Sequence, residues 1–115
     1  MPLDIRRIAP GESKEYDAAG CATYVAYDGG TLVGVLHVRD GEHISLLFVR
    51  HDHQGQRIGH ALIEAADRTT PDHPLASVNS STNAVRSYER YGFKASGPEQ
   101  VSDGIRFVPM RRDPA

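Results

Sequence analysis

The residues best placed to do chemistry lie in the turn Gln54-Gly55-Gln56-Arg57-Ile58-Gly59. It joins an apolar run, Ile44 to Val49, to a segment in which Ile58, Ala61, Leu62, Ala65 and Ala66 recur at helical spacing. Amides that open a helix have no internal acceptor and sit at the positive end of its dipole, so an anion placed there gains hydrogen bonds and a favourable field. The turn is therefore expected to cradle a phosphate. No Gly-Lys-Ser/Thr follows the glycines, and Gly55 with Gly59 does not fit the dinucleotide fingerprint, so neither of those loops is present.

A second segment, Ser81-Thr82-Asn83-Ala84-Val85-Arg86-Ser87-Tyr88-Glu89-Arg90-Tyr91-Gly92-Phe93, follows. Asn79 to Thr82 read as caps before a short helix, Ala84, Val85 and Tyr88 share one face, and Gly92 suits the left-handed residue that ends it. Together the two segments resemble the GNAT superfamily of N-acetyltransferases. Gln54 to Gly59 is similar to its Gln/Arg-x-x-Gly-x-Gly/Ala signature, and Ser81 to Phe93 to its Asn/Ser-x-x-Ala-x-x-x-Tyr-x-x-x-Gly-Phe segment. With the His43 to Val49 strand and the Gly97 to Met110 tail, the likeness runs from His43 to Met110. It looks like a subgroup of small bacterial-type members with a shortened N-terminal region.

The resemblance implies acetyl-CoA as cosubstrate. Its pyrophosphate would lie over Gln54, Gly55, Gln56, Arg57, Ile58, Gly59 and His60, and its pantetheine arm along Leu47, Phe48 and Val49, with Ser81, Asn83 and Tyr88 closing the site. Arg57 departs from the signature, standing where the first glycine usually is. Arginine is unfavourable at positive φ, so position 57 is expected to be helical already, its guanidinium either reaching a phosphate oxygen or pointing to solvent. The closest backbone approach is expected at Gly59, which has no Cβ.

Direct transfer of acetyl to a primary amine needs an unprotonated amine, a stabilised oxyanion and a stabilised thiolate. The resemblance puts the acetyl carbonyl near the Leu47 N–H, His43 where several relatives carry a basic glutamate, and Tyr88 beside the CoA sulfur. Histidine, with an ordinary pKa of about 6.5, suits that task at neutral pH. Residues 43 and 47 are about 13 Å apart along a strand at ~3.3 Å per residue, so water held by His43 and Ser45 would have to bridge them, with Glu42 the fallback. A phenol of pKa about 10 protonates a thiolate of about 8.5 uphill, so hydrogen-bond donation to sulfur is expected to be the main role of Tyr88. The plainer readings are a strand-end histidine and a core tyrosine, and Tyr91 reads as packing. A CoA-binding module without turnover is the alternative function.

The elements that must position these groups are read as short strands and two helices. Leu3 to Ile8 is a weak first strand, Thr23 to Tyr27 and Thr31 to Arg39 form a hairpin across Asp28-Gly29-Gly30, and Leu75 to Val78 is a brief strand. Lys94 to Gly97 pairs with Gly104 to Met110. The unbroken apolar run Ile44 to Val49 reads as a strand buried on both faces. The expectation is an α+β fold over 1–115 as a single domain: a mixed, mostly antiparallel sheet with splayed central parallel strands.

Composition narrows the partners. With 115 residues, 39% hydrophobic, 24% charged and a net charge of −2, the chain has room for one core and no electrostatic footprint for nucleic acid or anionic membrane. No apolar run approaches the roughly 20 residues of a membrane span, and Cys21 has no partner for a disulfide, so a cytoplasmic location is expected. His51, Asp52, His53 and His60 raise a metal site, but they flank the turn without a fourth ligand at structural spacing, and no metal is expected. Only Ala9 to Ala22 is left to wall the acceptor side, which should be open; a homodimer or a large acceptor is expected to cover it.

Overall fold

The computed structural model describes residues 3–8, 21–40, 42–69 and 74–113, so most of the Ala9 to Ala22 segment lies outside the described residues. Among the described residues, eight strands and two α-helices follow one another: β1 (Asp4–Arg7), β2 (Ala22–Asp28), β3 (Thr31–Arg39), β4 (His43–Val49), α1 (Ile58–Thr69), β5 (Ser77–Ser81), α2 (Val85–Arg90), β6 (Lys94–Ala95), β7 (Gln100–Ser102) and β8 (Ile105–Arg111). One sheet orders them β1-β2-β3-β4-β5-β8-β6, with β7 also on β8. Among the described strands only β4 and β5 pair in parallel. This is the expected α+β arrangement. No helix among the described residues is long and apolar enough to cross a membrane.

The parallel pair separates almost at once. His43 pairs with Ser77 and Ile44 with Val78, and no register continues beyond them. From there β4 stays on β3 as far as Val49, while β5 stays on β8 as far as Ser81, so a cleft opens between the two strands. A bulge lies at the same level: Leu46 opposes His37 and Ile44 opposes Val38, leaving Ser45 unopposed. Ser45 Oγ instead lies 2.5 Å from His37 Nδ1 and 3.2 Å from the His37 carbonyl.

The bulge changes which residues face the core. Leu47 and Val49 oppose Leu36 and Gly34, putting them on the same face as Ile44, against α1. Leu46 and Phe48 turn to the other face and are 50% and 49% exposed, so β4 is not buried on both faces as its apolar run suggests. Extra apolar residues on a half-covered strand are indistinguishable, by composition alone, from a fully covered one. The core itself lies under α1, where Leu36, Ile44, Ile58, Leu62, Phe93 and Met110 are almost wholly buried. At fully buried Leu62, a cut to alanine removes side-chain packing worth about 2–5 kcal/mol.

Beyond the cleft the chain is braced at one point. Arg112 donates to both carboxylate oxygens of Asp67, at 2.8 Å each, and to the Leu75 carbonyl at 2.9 Å, while its guanidinium lies 5.1 Å over the Phe93 ring. The Leu75 N–H returns a 2.9 Å bond to Asp67. These contacts join the end of α1, the approach to β5 and the residue after β8.

The polar residues Asn79, Ser80 and Ser81 correct the sequence reading. They do not cap α2; they extend β5, paired with Pro109, Val108 and Phe107 of β8. The N-cap position of α2 is Ala84, which makes no side-chain capping bond. At the other end the expectation holds: Gly92 has φ +99°, its N–H bonds Glu89 O, and the Phe93 N–H bonds Tyr88 O, which returns Phe93 to the core.

Candidate active site

The cleft opens into a cavity of about 840 Å³ with three walls. From β4 come Leu47 and Val49; from the turn and α1 come Gln54, Gly55, Arg57, Ile58, Gly59 and His60. The third wall is Asn83 and Ala84 with Ser87, Tyr88 and Arg90 of α2 and Tyr91 just after it. Arg57 and Arg90 supply positive charge, and among the described residues no carboxylate lines the cavity. Such a space suits an anion with a long thin tail.

The turn is locally determined. A single 3₁₀ turn, His51–His53, follows β4, and Gln54 Nε2 donates 3.3 Å to the Val49 carbonyl. His53 fastens this turn to the β2–β3 hairpin, with Nδ1 2.7 Å from Asp52 and Nε2 3.1 Å from Asp28. The Asp52 hydrogen bond, with the Asp28 bond behind it, raises the His53 pKa above its ordinary value. Both ring nitrogens are thus engaged by carboxylates.

Arg57 is not helical. Its φ is +62°, after Gly55 at +84°, and its carbonyl accepts the first α1 bond, from Ala61 at 3.0 Å. Arg57 therefore occupies the N-cap position, a left-handed conformation that costs a non-glycine residue roughly 1–2 kcal/mol. It holds because the chain must reverse into α1 here, and in doing so it leaves the amides of Ile58, Gly59 and His60 without helical acceptors beside the cavity.

Gly59 is where the cavity is tightest, for a reason the sequence does not show. A Cβ on Gly59 would collide with the Tyr91 hydroxyl and stand 3.2 Å from Cζ of the same ring. The missing side chain makes room for a tyrosine from α2. Tyr91 is thus a wall of the site as well as packing, its ring 5.8 Å from Tyr88 and 5.9 Å from His60.

Tyr88 is 7% exposed and meets both Tyr91 and Phe93 edge to face, at 5.8 Å each. Burial, with a smaller contribution from Tyr91, pushes its phenol up to about 12. Delivering a proton from there to a thiolate of about 8.5 is uphill by about 3.5 units, which leaves hydrogen-bond donation as the chemistry open to it.

The structure therefore brings Leu47, Val49, Gln54, Gly55, Arg57, Ile58, Gly59, His60, Asn83 and Tyr88 around one cavity. Phe48, Gln56, Ser81 and His43 do not line it. Phe48 is turned to the opposite face by the bulge, and Ser81 ends β5 against Phe107. His43 sits where the cleft closes, Nδ1 2.8 Å from Ser77 Oγ, its pKa lowered first by burial and then by Arg39. Ala84, Ser87, Arg90 and Tyr91 were missed; Ala84 stands four residues before Tyr88 and Tyr91 three after it, a helical stripe that could have been extended from Tyr88.

The sequence model of the Acetyltransferase (GNAT) domain matches residues 7–114. The chain belongs to the GNAT acetyltransferase family. Acetyl-CoA is that family's cosubstrate. The peptidyl-lysine N-acetyltransferase YjaB of Salmonella typhimurium is 38% identical over 70 residues, 61% of this chain and 48% of that protein. The chain thus aligns with about half the length of that curated relative. Among solved structures, apo YjaB of Escherichia coli superposes with a TM-score of 0.70 at 22% identity over the full length of both chains. An acyl-CoA N-acyltransferase from Pseudomonas aeruginosa gives 0.72 at 21% identity, over 97% of this chain and all of that one. A GNAT family acetyltransferase from Elizabethkingia anophelis with acetyl-CoA bound gives 0.63 at 20%, over 95% and 94%. These likenesses establish the GNAT fold.

Proposed function

We propose that this chain moves acetyl from acetyl-CoA to a primary amine by direct attack, with the lysine side chain of a peptide or protein as acceptor. The observation that carries the reading is convergence: Arg57, the residues Ile58 to His60 that open α1, and Tyr88 all line one cavity at the mouth of the β4–β5 cleft. The name of the YjaB relative supports the acceptor class. Amides of Ile58 to His60 would hold the pyrophosphate, with Gln54, Gly55 and Gln56 shaping the turn. Leu47, Val49 and Asn83 would flank the pantetheine arm.

Within that reading the Leu47 N–H is the oxyanion donor. The bulge at Ser45 and the loss of a β5 partner beyond Ile44 support it, because they leave this edge of β4 without a strand neighbour. A donor preorganised in this way lowers the barrier by about 2.7–4 kcal/mol. Tyr88 stabilises the leaving sulfur, and His43, which the bulge sets on the face opposite Leu47, takes the amine proton through water that reaches round the strand where the cleft closes.

The base assignment has a definite pH signature. Burial and Arg39 lower the His43 pKa below 6.5, and a base works when unprotonated, so kcat/KM rises with pH through that lowered value and then levels. With a lysine peptide as acceptor and thiol release as readout, His43→Ala is expected to lower the plateau about a hundredfold and to remove the acidic limb. An unchanged acidic limb gives base duty to Glu42, water or the substrate. No thiol release by the wild type with any lysine peptide or small amine would leave the non-catalytic CoA-binding module as the better reading.

One cytoplasmic catalytic domain working as a homodimer completes the proposal. Leu46 and Phe48, half exposed on the β4 face away from α1, are the apolar surface a second copy would cover. Light scattering over a dilution series tests it: a strict monomer at micromolar concentration, fully active on a small amine, removes the dimer.

A further inference from the structure

Tyr91 carries a hydroxyl that packing does not require. Its ring spans from α2 to α1, between Tyr88 and His60, and a phenylalanine would fill that space equally. The hydroxyl, however, ends against Gly59, which has no side chain to obstruct it. Among the described residues, none hydrogen-bonds this phenol. Burial raises its pKa, so it stays protonated and offers a donor.

Its surroundings specify the partner. Tyr91 lines the same cavity as Ile58, Gly59 and His60, whose amides are donors without helical acceptors, so an acceptor bound there can be shared between them and the phenol. An oxygen shared by helix-start amides and a phenol is an anionic one, and the Arg57 and Arg90 side chains on the cavity walls agree in sign. The geometry points to Tyr91 as a binding residue for the cosubstrate: its phenol donates to a pyrophosphate oxygen of acetyl-CoA, beside the α1 amides, through the gap that Gly59 leaves. This rests on the acetyl-CoA reading above. It also divides labour between the two tyrosines, the buried Tyr88 serving the sulfur and Tyr91 the phosphate.

The test compares acetyl-CoA with S-acetylpantetheine, a thioester that lacks the pyrophosphate. Tyr91→Phe keeps the ring and its packing. For acetyl-CoA it raises Kd, by calorimetry, and KM about tenfold, as expected for one hydrogen bond to a charged group, with the loss falling on KM rather than kcat. With S-acetylpantetheine the tenfold gap in kcat/KM between wild type and variant closes. Equal acetyl-CoA affinities overturn the inference, and so does a gap that persists on the phosphate-free thioester. Failure of the wild type to bind acetyl-CoA defeats the cosubstrate reading itself, a result distinct from both.

Discussion

Tyr88→Phe is expected to lower kcat by roughly ten- to a hundredfold while changing acetyl-CoA affinity little, because it removes a hydrogen bond made chiefly when the sulfur becomes anionic. Packing is conserved by the change. The ring stays in its edge-to-face contacts with Tyr91 and Phe93, and no described residue loses a hydrogen-bond partner, so the melting temperature should hold. The pH profile separates donation from proton transfer. With the phenol pushed up to about 12, an alkaline limb in the wild-type kcat below about pH 10 cannot be its ionisation. Any such limb should survive in Tyr88→Phe. A limb that vanished with the hydroxyl would restore full general-acid duty to Tyr88, and an unchanged kcat would place it in the core alone.

The site was legible where one residue type has one physical use. Gly92 needs a left-handed backbone and has it, and the helical stripe at Ile58, Leu62 and Ala66 is buried as its spacing requires. The open amides at the start of α1 were legible for the same reason, since a glycine-bearing turn into an amphipathic helix leaves its first N–H groups without acceptors. Residues with several uses were misread. Asn79, Ser80 and Ser81 serve as caps or as edge-compatible strand residues, and the pairing offered by β8 decided for strand. Arg57 was assigned by intrinsic preference, and the tertiary demand for a reversal outweighed a cost of roughly 1–2 kcal/mol.

The least legible feature was the bulge at Ser45. Nothing in His43-Ile44-Ser45-Leu46-Leu47-Phe48-Val49 announces that the alternation shifts there, because apolar residues occupy both faces after it. The shift is visible only in the pairing with β3, yet it decides that Leu47 and Val49, and not Phe48, reach the cavity. A one-residue change of phase exchanges the faces of everything beyond it.

Gly59 gives the second large expected effect. Within a helix, glycine to alanine normally stabilises by roughly 0.5–1 kcal/mol, so any loss at this position must come from its surroundings. A new Cβ meets the Tyr91 hydroxyl, and overpacking of that kind costs about 1–3 kcal/mol, so Gly59→Ala should lower the melting temperature by several degrees and weaken acetyl-CoA binding at least tenfold. Two causes compete for the binding loss: the displaced tyrosine, and a methyl group in space that belongs to the phosphate. The pair Gly59→Ala with Tyr91→Leu separates them, because leucine withdraws the ring end that the methyl meets. With Tyr91→Leu measured alone, a double variant that loses less stability than the two single losses added together assigns the clash to Tyr91. Strictly additive losses would show that the glycine is not there to admit Tyr91. Affinity should follow a different course, staying below wild type even when stability returns, since leucine brings no donor to the phosphate oxygen that the α1 amides hold.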